Sequence, residues 1–371
     1  MKLIVDAVSK GSGGAKRHLI EILNYSDKSF CNFTSIEIWG PKSLLDVLPD
    51  KKKIIKKTHF LLNSGVLGFL IWGLLFKKKS FGKDFDCIFS PFGNFTKNLH
   101  PYVSMSQNML MFEETERKRF KFGFSRIKLE FMLYVNKKSF ENADGLIFLS
   151  KHAKAQINNL LRLDQVNQTI IHHGISKEFF KSPRVFTKDT STPIKLLYVS
   201  NILPYKHHLN TVKAILDLNL IEGYNISLLL IGNNDYSSIG KKLNNLICKH
   251  NIVQWITEVK LDEIYKYYHD SDCFIFSSSC ENMPISLIEA MASGLPIVCS
   301  NYKPMQEFLE NAGLYFDPLS IDDTKNVLRK ILDDKKLLKK LSKDSYNLSK
   351  KYTWEQCAQN TFKYLYEISK N

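Results

Sequence analysis

The chain has 371 residues, 44% of them hydrophobic and 24% charged, with a net charge of +15. That length exceeds one ordinary hydrophobic core and predicts two folded domains, and the composition excludes a disordered or fibrous chain. No apolar run reaches the roughly 20 residues of a membrane-spanning helix, so no such helix is expected.

The charge is uneven. Residues 1–185 hold 30 Lys+Arg against 16 Asp+Glu, a net +14, whereas 186–371 hold 22 against 21, a net +1. A basic first half suits a phosphate-rich surface. No nucleic-acid-binding motif accompanies it, so an anionic membrane is the expected partner and nucleic acid is not. The seven cysteines form no CxxC pair and no metal spacing, which predicts reduced core thiols in a cytoplasmic protein.

Met1-Lys2 leads straight into an apolar run, read as a first strand over 3–6 and not as a secretory signal. Further strands are expected over 34–38, 87–90, 103–106, 145–149 and 169–171, with helix-period stretches between them. Behind the first strand, Ser9-Lys10-Gly11-Ser12-Gly13-Gly14 opens a helix, and Gly13 and Gly14 permit close backbone approach to a ligand. The same run fits the tight turn of any βα unit. It fails the dinucleotide pattern G-x-G-x-x-G because Lys16 stands at the last position.

Residues 66–76 form an apolar stretch ending in Lys77, Lys78 and Lys79, and 117–128 interleave cations with aromatics. Both suit peripheral contact with an anionic membrane; the plainer alternative is a core helix followed by a solvated basic face. Asp84 and Asp86 precede their strand and read as a solvated turn, so no Asp-x-Asp metal pair is expected. Gln107 closes the strand at 103–106, where it can donate a hydrogen bond but cannot take a proton.

The polar stretch near 183–193, with Pro183 and Pro193, is read as an interdomain linker. This divides the chain into domains 1–182 and 194–352, with a final helix in 353–371 packing back on the first domain. In the second domain, strands are expected over 195–200, 226–231, 253–256, 273–276, 297–300 and 314–316. The strongest signal follows the strand at 273–276. Glu281 lies in a loop, a helix begins near Ile285, Glu289 lies inside it, and Gly294 closes it before another buried strand. Loops at the carboxyl ends of parallel strands bind ligands, and the unpaired N–H groups at a helix start attract a diphosphate. Glu289 is placed to accept hydrogen bonds from ribose hydroxyls, and Glu281 to hold a sugar.

The run Glu281-Asn282-Met283-Pro284-Ile285-Ser286-Leu287-Ile288-Glu289-Ala290-Met291-Ala292, closed by Gly294 and Pro296, resembles the signature of family 4 retaining glycosyltransferases. The likeness extends over nearly the whole chain. It implies an α/β GT-B fold, two Rossmann-like domains with parallel sheets facing a central cleft. Tyr198 to His208 resembles the segment in which an Arg and then a Lys bind the donor diphosphate; Lys206 matches the Lys, but Asn201 stands at the Arg. Gly13 and Gly14 fall in the family's first loop, Gly232 beneath the nucleotide base, and Val259 where the backbone contacts it. The turn at His172-His173-Gly174-Ile175 resembles the family's Pro-Asn-Gly turn, with histidines in place of Pro and Asn. Gln107 replaces a frequent His, as in some bacterial surface-polysaccharide enzymes.

The resemblance implies transfer of a sugar, with retention, from a nucleotide sugar to a saccharide or lipid-diphosphate-linked acceptor of O-antigen or capsule type. No metal or other cofactor is expected. Lys206, Glu281 and Gln107 are the expected catalytic residues. Gly13, Gly14, Asn201, Gly232, Val259, Asn282, Met283, Pro284, Ile285 and Glu289 are expected to bind donor with Lys206. The expected location is the cytoplasmic face of the cell membrane. A nucleotide-sugar epimerase and a GT-B scaffold or partner subunit are the alternatives.

Overall fold

The computed structural model describes residues 1–9, 13–94, 98–121, 123–184 and 192–370. The chain divides into two compact units. The first comprises 1–112, 122–174 and 353–371, the second 113–121 and 175–352.

The first unit is built on a seven-stranded parallel sheet: β1 (Lys2–Asp6), β2 (Ser35–Trp39), β3 (Ile54–Lys57), β4 (Cys87–Ser90), β5 (Tyr102–Met105), β6 (Gly145–Phe148) and β7 (Asn167–Ile170), in the order β3-β2-β1-β4-β5-β6-β7. β4, β5 and β6 are buried along their whole length, which is why they read as continuous apolar runs in the sequence. β3 has no such signal. It offers only Ile54 and Ile55 among lysines and lies at the sheet edge, where charge discourages pairing with another chain.

The second unit holds six parallel strands: β8 (Ile194–Val199), β9 (Ile226–Ile231), β10 (Val253–Ile256), β11 (Cys273–Phe276), β12 (Ile297–Ser300) and β13 (Leu314–Phe316), in the order β10-β9-β8-β11-β12-β13. In both sheets the order reverses beside the first strand of the unit, between β1 and β4 and between β8 and β11. Such switch points leave a crevice at the carboxyl ends of the strands, where ligands of doubly wound sheets bind.

The chain enters the second unit at Ile175, earlier than a linker at 183–193 implies. Ile175 N–H donates to the Tyr352 carbonyl at 3.2 Å, Lys181 N–H donates to Ala292, and the Phe179 ring meets Tyr268 edge-on at 5.4 Å. These contacts tie 175–184 to the second unit; residues 185–191 of the expected linker lie outside those described. The last helix, Trp354–Ile368, belongs to the first unit. Its Tyr364 hydroxyl accepts from Leu146 N–H and donates to the Asn167 carbonyl, so it is fixed to β6 and β7. Gly174 makes room for it, since a Cβ there would stand 2.1 Å from Trp354 N. His173 before it is buried, with Nδ1 3.0 Å from His18 Nδ1.

The apolar stretch at 66–76 is divided between core and surface. Trp72 is fully buried, while Leu74 and Leu75 are 84% and 70% exposed. Lys77, expected at the surface, is instead buried and pairs at 2.5 Å with Asp6 at the end of β1. Arg117 and Phe120 are likewise buried, so they are not available to a membrane. No helix among the described residues is long and apolar enough to cross a membrane. Of the cysteines, only Cys248 is exposed, and none is in a disulfide.

Candidate active site

The loops after β8 and β11 flank the switch point of the second sheet, and together they position one cation. Pro204–Lys206 forms a single 3₁₀ turn. The Tyr198 hydroxyl donates to the Lys206 carbonyl at 2.6 Å. His207 then adopts a left-handed backbone, φ 49°, uncommon outside glycine, and its Nε2 lies 2.8 Å from Ser279 Oγ. Ser279 N–H donates to the Tyr205 carbonyl at 2.9 Å, and Thr211 Oγ1 meets Ser277 Oγ at 2.6 Å. The two loops are thereby joined along their length.

Lys206 Nζ projects between the rings of Tyr205 and Phe276, 5.2 and 5.3 Å from their centroids, and pairs with Glu281 Oε1. Aromatic faces and a carboxylate both attract a cation where water is partly excluded. The Glu281 charge spreads through the site. After burial, it is the next cause raising the Tyr198, Tyr205 and Cys280 pKa values, so these groups stay protonated. His207 is held neutral, with its pKa lowered to about 4 by burial and then by the Arg119 charge.

Glu281 continues into Asn282 and Met283, both buried, and then into the helix Ile285–Ala292. Pro284 is its N-cap and no side chain caps it; Leu287 and Ile288 N–H donate to the Pro284 carbonyl, and the cap provides no acceptor for the N–H groups ahead of them. Glu289 is buried in the second turn and accepts from the Tyr268 hydroxyl at 3.0 Å. Tyr268 is itself fully buried and stacked on Phe274.

Asn201 and Gly232 meet one strand further along the sheet. Asn201 Nδ2 donates to Asp235 Oδ2 at 2.6 Å, and its Oδ1 accepts from Asn233 N–H at 3.2 Å. Its amide therefore ties the loop after β8 to the loop after β9. A Cβ at Gly232 would stand 2.1 Å from the Ser200 carbonyl oxygen, so glycine permits this close approach. Val259 is half-buried in the loop after β10.

Three expected residues lie in the first unit, at the carboxyl edge of its sheet. Gly13 has φ +52° with open space around a Cβ position, so backbone conformation, not packing, favours glycine there. Gly14 begins the helix Gly14–Asn24. Gln107 follows β5, and its Nε2 donates to the Pro91 carbonyl at 3.0 Å. It also donates to Met105 Sδ at 3.5 Å, so both of its N–H donors are engaged inside the unit. Asp86, the second carboxylate of Asp84-x-Asp86, accepts from Lys2 N–H.

The sequence reading missed Tyr268, Asp235, His207 and Ser279. Each acts through a contact 21 to 72 residues distant in the chain or through a backbone angle, and no local pattern marks them.

Comparison with known proteins agrees with this arrangement. Residues 181–348 match the family model for glycosyl transferases group 1. The chain is 22% identical over 240 residues to an uncharacterized glycosyltransferase of Methanocaldococcus jannaschii, covering 64% of this chain and 63% of that protein. It is 24% identical over 203 residues to the O-antigen chain mannosyltransferase RfbU of Salmonella typhimurium, covering 54% of each. These matches span less than two thirds of either relative's length. Among solved structures, the Anabaena protein HepE in complex with UDP-glucose superposes with a TM-score of 0.73 at 16% identity, over 99% of this chain and 100% of that one. Two doubly wound parallel units and this superposition give the chain the two-domain GT-B fold, and residues 181–348, which carry the Lys–Glu pair at the second switch point, match the glycosyl transferases group 1 family.

Proposed function

We propose that this chain transfers a sugar from a nucleotide sugar to a growing surface polysaccharide, with retention of configuration and without a metal ion. The observation that carries this reading is Lys206, held between two aromatic rings against Glu281 beside an uncapped helix. A nucleoside diphosphate leaves as an anion, and fixed donors aimed at developing charge lower such barriers most. The Lys206 ammonium has three donors, so it can hold a phosphate oxygen and Glu281 together. Glu281 then orients the sugar. A carboxylate paired with Lys206 is a poor nucleophile, which favours front-face substitution over a covalent intermediate. The C1–phosphate oxygen bond breaks, the acceptor oxygen bonds C1 on the same face, and its proton passes to the leaving phosphate. Glu289, oriented by Tyr268, is assigned to the ribose.

The test is a thermal-shift panel of UDP-, GDP- and dTDP-sugars with EDTA present. A shift with one base, retained in EDTA and lost in Glu289→Ala, is the expected result. No shift with any donor, for folded protein, would sink the donor site. A shift that EDTA abolishes would sink metal independence. Release of a free sugar derivative without acceptor would favour an epimerase.

The acceptor side of the reading rests on the first unit's surface. Phe60 is 70% exposed, and the His59 ring lies 4.6 Å from Phe60 and 5.1 Å from Phe76. With Leu74 and Leu75 these rings form an apolar projection beside the exposed Lys78 and Lys79. Such a surface suits a lipid-diphosphate-linked acceptor at the inner face of the cell membrane, the chain being peripheral to it. Leu74→Asp with Leu75→Asp is expected to abolish co-flotation with phosphatidylglycerol vesicles while leaving the melting temperature within a few degrees, because both side chains already face solvent. Undiminished flotation would remove this patch from the acceptor side.

A further inference from the structure

The leading charge deficit of the site is at Asn201. A diphosphate brings at least two negative charges. Lys206 supplies one positive charge with Glu281 beside it, and the Asn201 amide is occupied by Asp235 and Asn233. The missing cation has a candidate in a segment far away in sequence.

Residues 113–121 follow β5 by several residues, yet they fold as part of the second unit. Their anchor is Phe120, which is buried. Its ring lies 6.4 Å from that of Tyr205 and meets Tyr236 edge-on at 5.5 Å, and Lys121 N–H reaches the Tyr236 hydroxyl at 3.4 Å. Tyr205 immediately precedes Lys206, and Tyr236 immediately follows Asp235, the partner of Asn201. Phe120 is thus seated between the loop that carries the cation and the loop that ties down the asparagine.

Arg119 stands next to this anchor. Its Nε donates to Glu116 Oε2 at 2.6 Å, and its side chain remains 31% exposed. Glu116 is buried and fixes one edge of the guanidinium. The terminal nitrogens supply the rest of the fork, whose planar geometry matches a phosphate. The Arg119 charge acts on both His207 after β8 and Tyr302 after β12, two residues at the carboxyl ends of their strands.

We propose that Arg119, carried into the second unit by the 113–121 segment, is the second cation for the donor diphosphate, in place of the charge that Asn201 lacks. This rests on the nucleotide-sugar reading above. It makes donor binding depend on a residue of the chain's first half, one that reads locally as a basic surface.

Titration calorimetry of the full chain tests it, using UDP, GDP and dTDP and then the nucleoside of whichever binds. Arg119→Gln is expected to weaken the nucleoside diphosphate by about 10- to 100-fold, the effect of one charged hydrogen-bonded contact, while leaving nucleoside affinity unchanged. Arg119→Lys keeps the charge but not the fork and should fall between the two. It also serves if Arg119→Gln fails to fold. Equal diphosphate affinity in wild type and Arg119→Gln overturns the proposal alone. So does an equal loss for nucleoside and diphosphate, because that marks a purely structural role. If wild type binds no nucleoside diphosphate, the donor reading itself falls and Arg119 falls with it.

Discussion

Lys206→Ala is expected to lower kcat/KM by about 10²- to 10³-fold, the cost of removing one preorganised donor from a developing anion. The size follows from the geometry. Nζ is held between the Tyr205 and Phe276 rings, and the Lys206 carbonyl is pinned by the Tyr198 hydroxyl, so the ammonium is positioned before the donor arrives. The substitution also strips Glu281 of its partner, and the two effects need separating. The double variant Lys206→Ala, Glu281→Ala does so. If Lys206 served only to neutralise Glu281, the double variant would recover most of the lost activity. If Lys206 meets the leaving group, the double variant stays as slow as the single one or slower. Steady-state kinetics with the donor that gives a thermal shift would read this directly. An unchanged kcat/KM in Lys206→Ala would remove the residue from the mechanism.

Lowering the pH is expected to unfold both units well before carboxylate protonation is complete. Four histidines are buried: His18 and His173 in the first unit, His207 and His208 in the second. Burial lowers His18 and His208 to about 3 and His207 to about 4, and it carries His173 well below its usual value. In each case the folded pKa lies below the unfolded value of about 6.5, so the unfolded chain binds more protons. Their stabilising contribution is therefore complete above pH 6.5 and is lost as pH falls toward 4 and 3. Each group costs about 1.4 kcal/mol per pH unit in that window. Two such groups in each unit remove about 4 kcal/mol by pH 5 and about 7 kcal/mol by pH 4, so the lower part of the typical range of about 5–15 kcal/mol is exhausted between about pH 5 and 4. Circular dichroism between pH 8 and 3 would locate the transition, and His18→Gln should make the first unit's pH dependence shallower. Stability that stays flat from pH 7 to 5 would contradict the argument, as would folded-state histidine titrations near 6.5 by NMR.

The sequence by itself determined the architecture and the local frame of the candidate site. Buried parallel strands must be apolar throughout, so β1, β4, β6, β8, β9, β11 and β12 are visible as runs within one or two residues of their positions. The segment from Glu281 to Glu289 is also local: a loop, a helix start and a buried carboxylate lie within nine consecutive residues. What the tertiary structure decided is everything that depends on pairing between distant segments. β3 is invisible because an edge strand needs no apolar faces. Lys77 reads as a surface charge until Asp6 is placed beside it, and 117–128 reads as a basic surface until Phe120 is found between Tyr205 and Tyr236. Asn201 looks like a weakened phosphate ligand in the sequence. In the fold it is a brace between two strand-end loops, because Asp235, 34 residues away, is brought to hydrogen-bond its amide. Hydrophobic periodicity reports which side of an element is buried; it carries no information about which charge a given side chain will meet there.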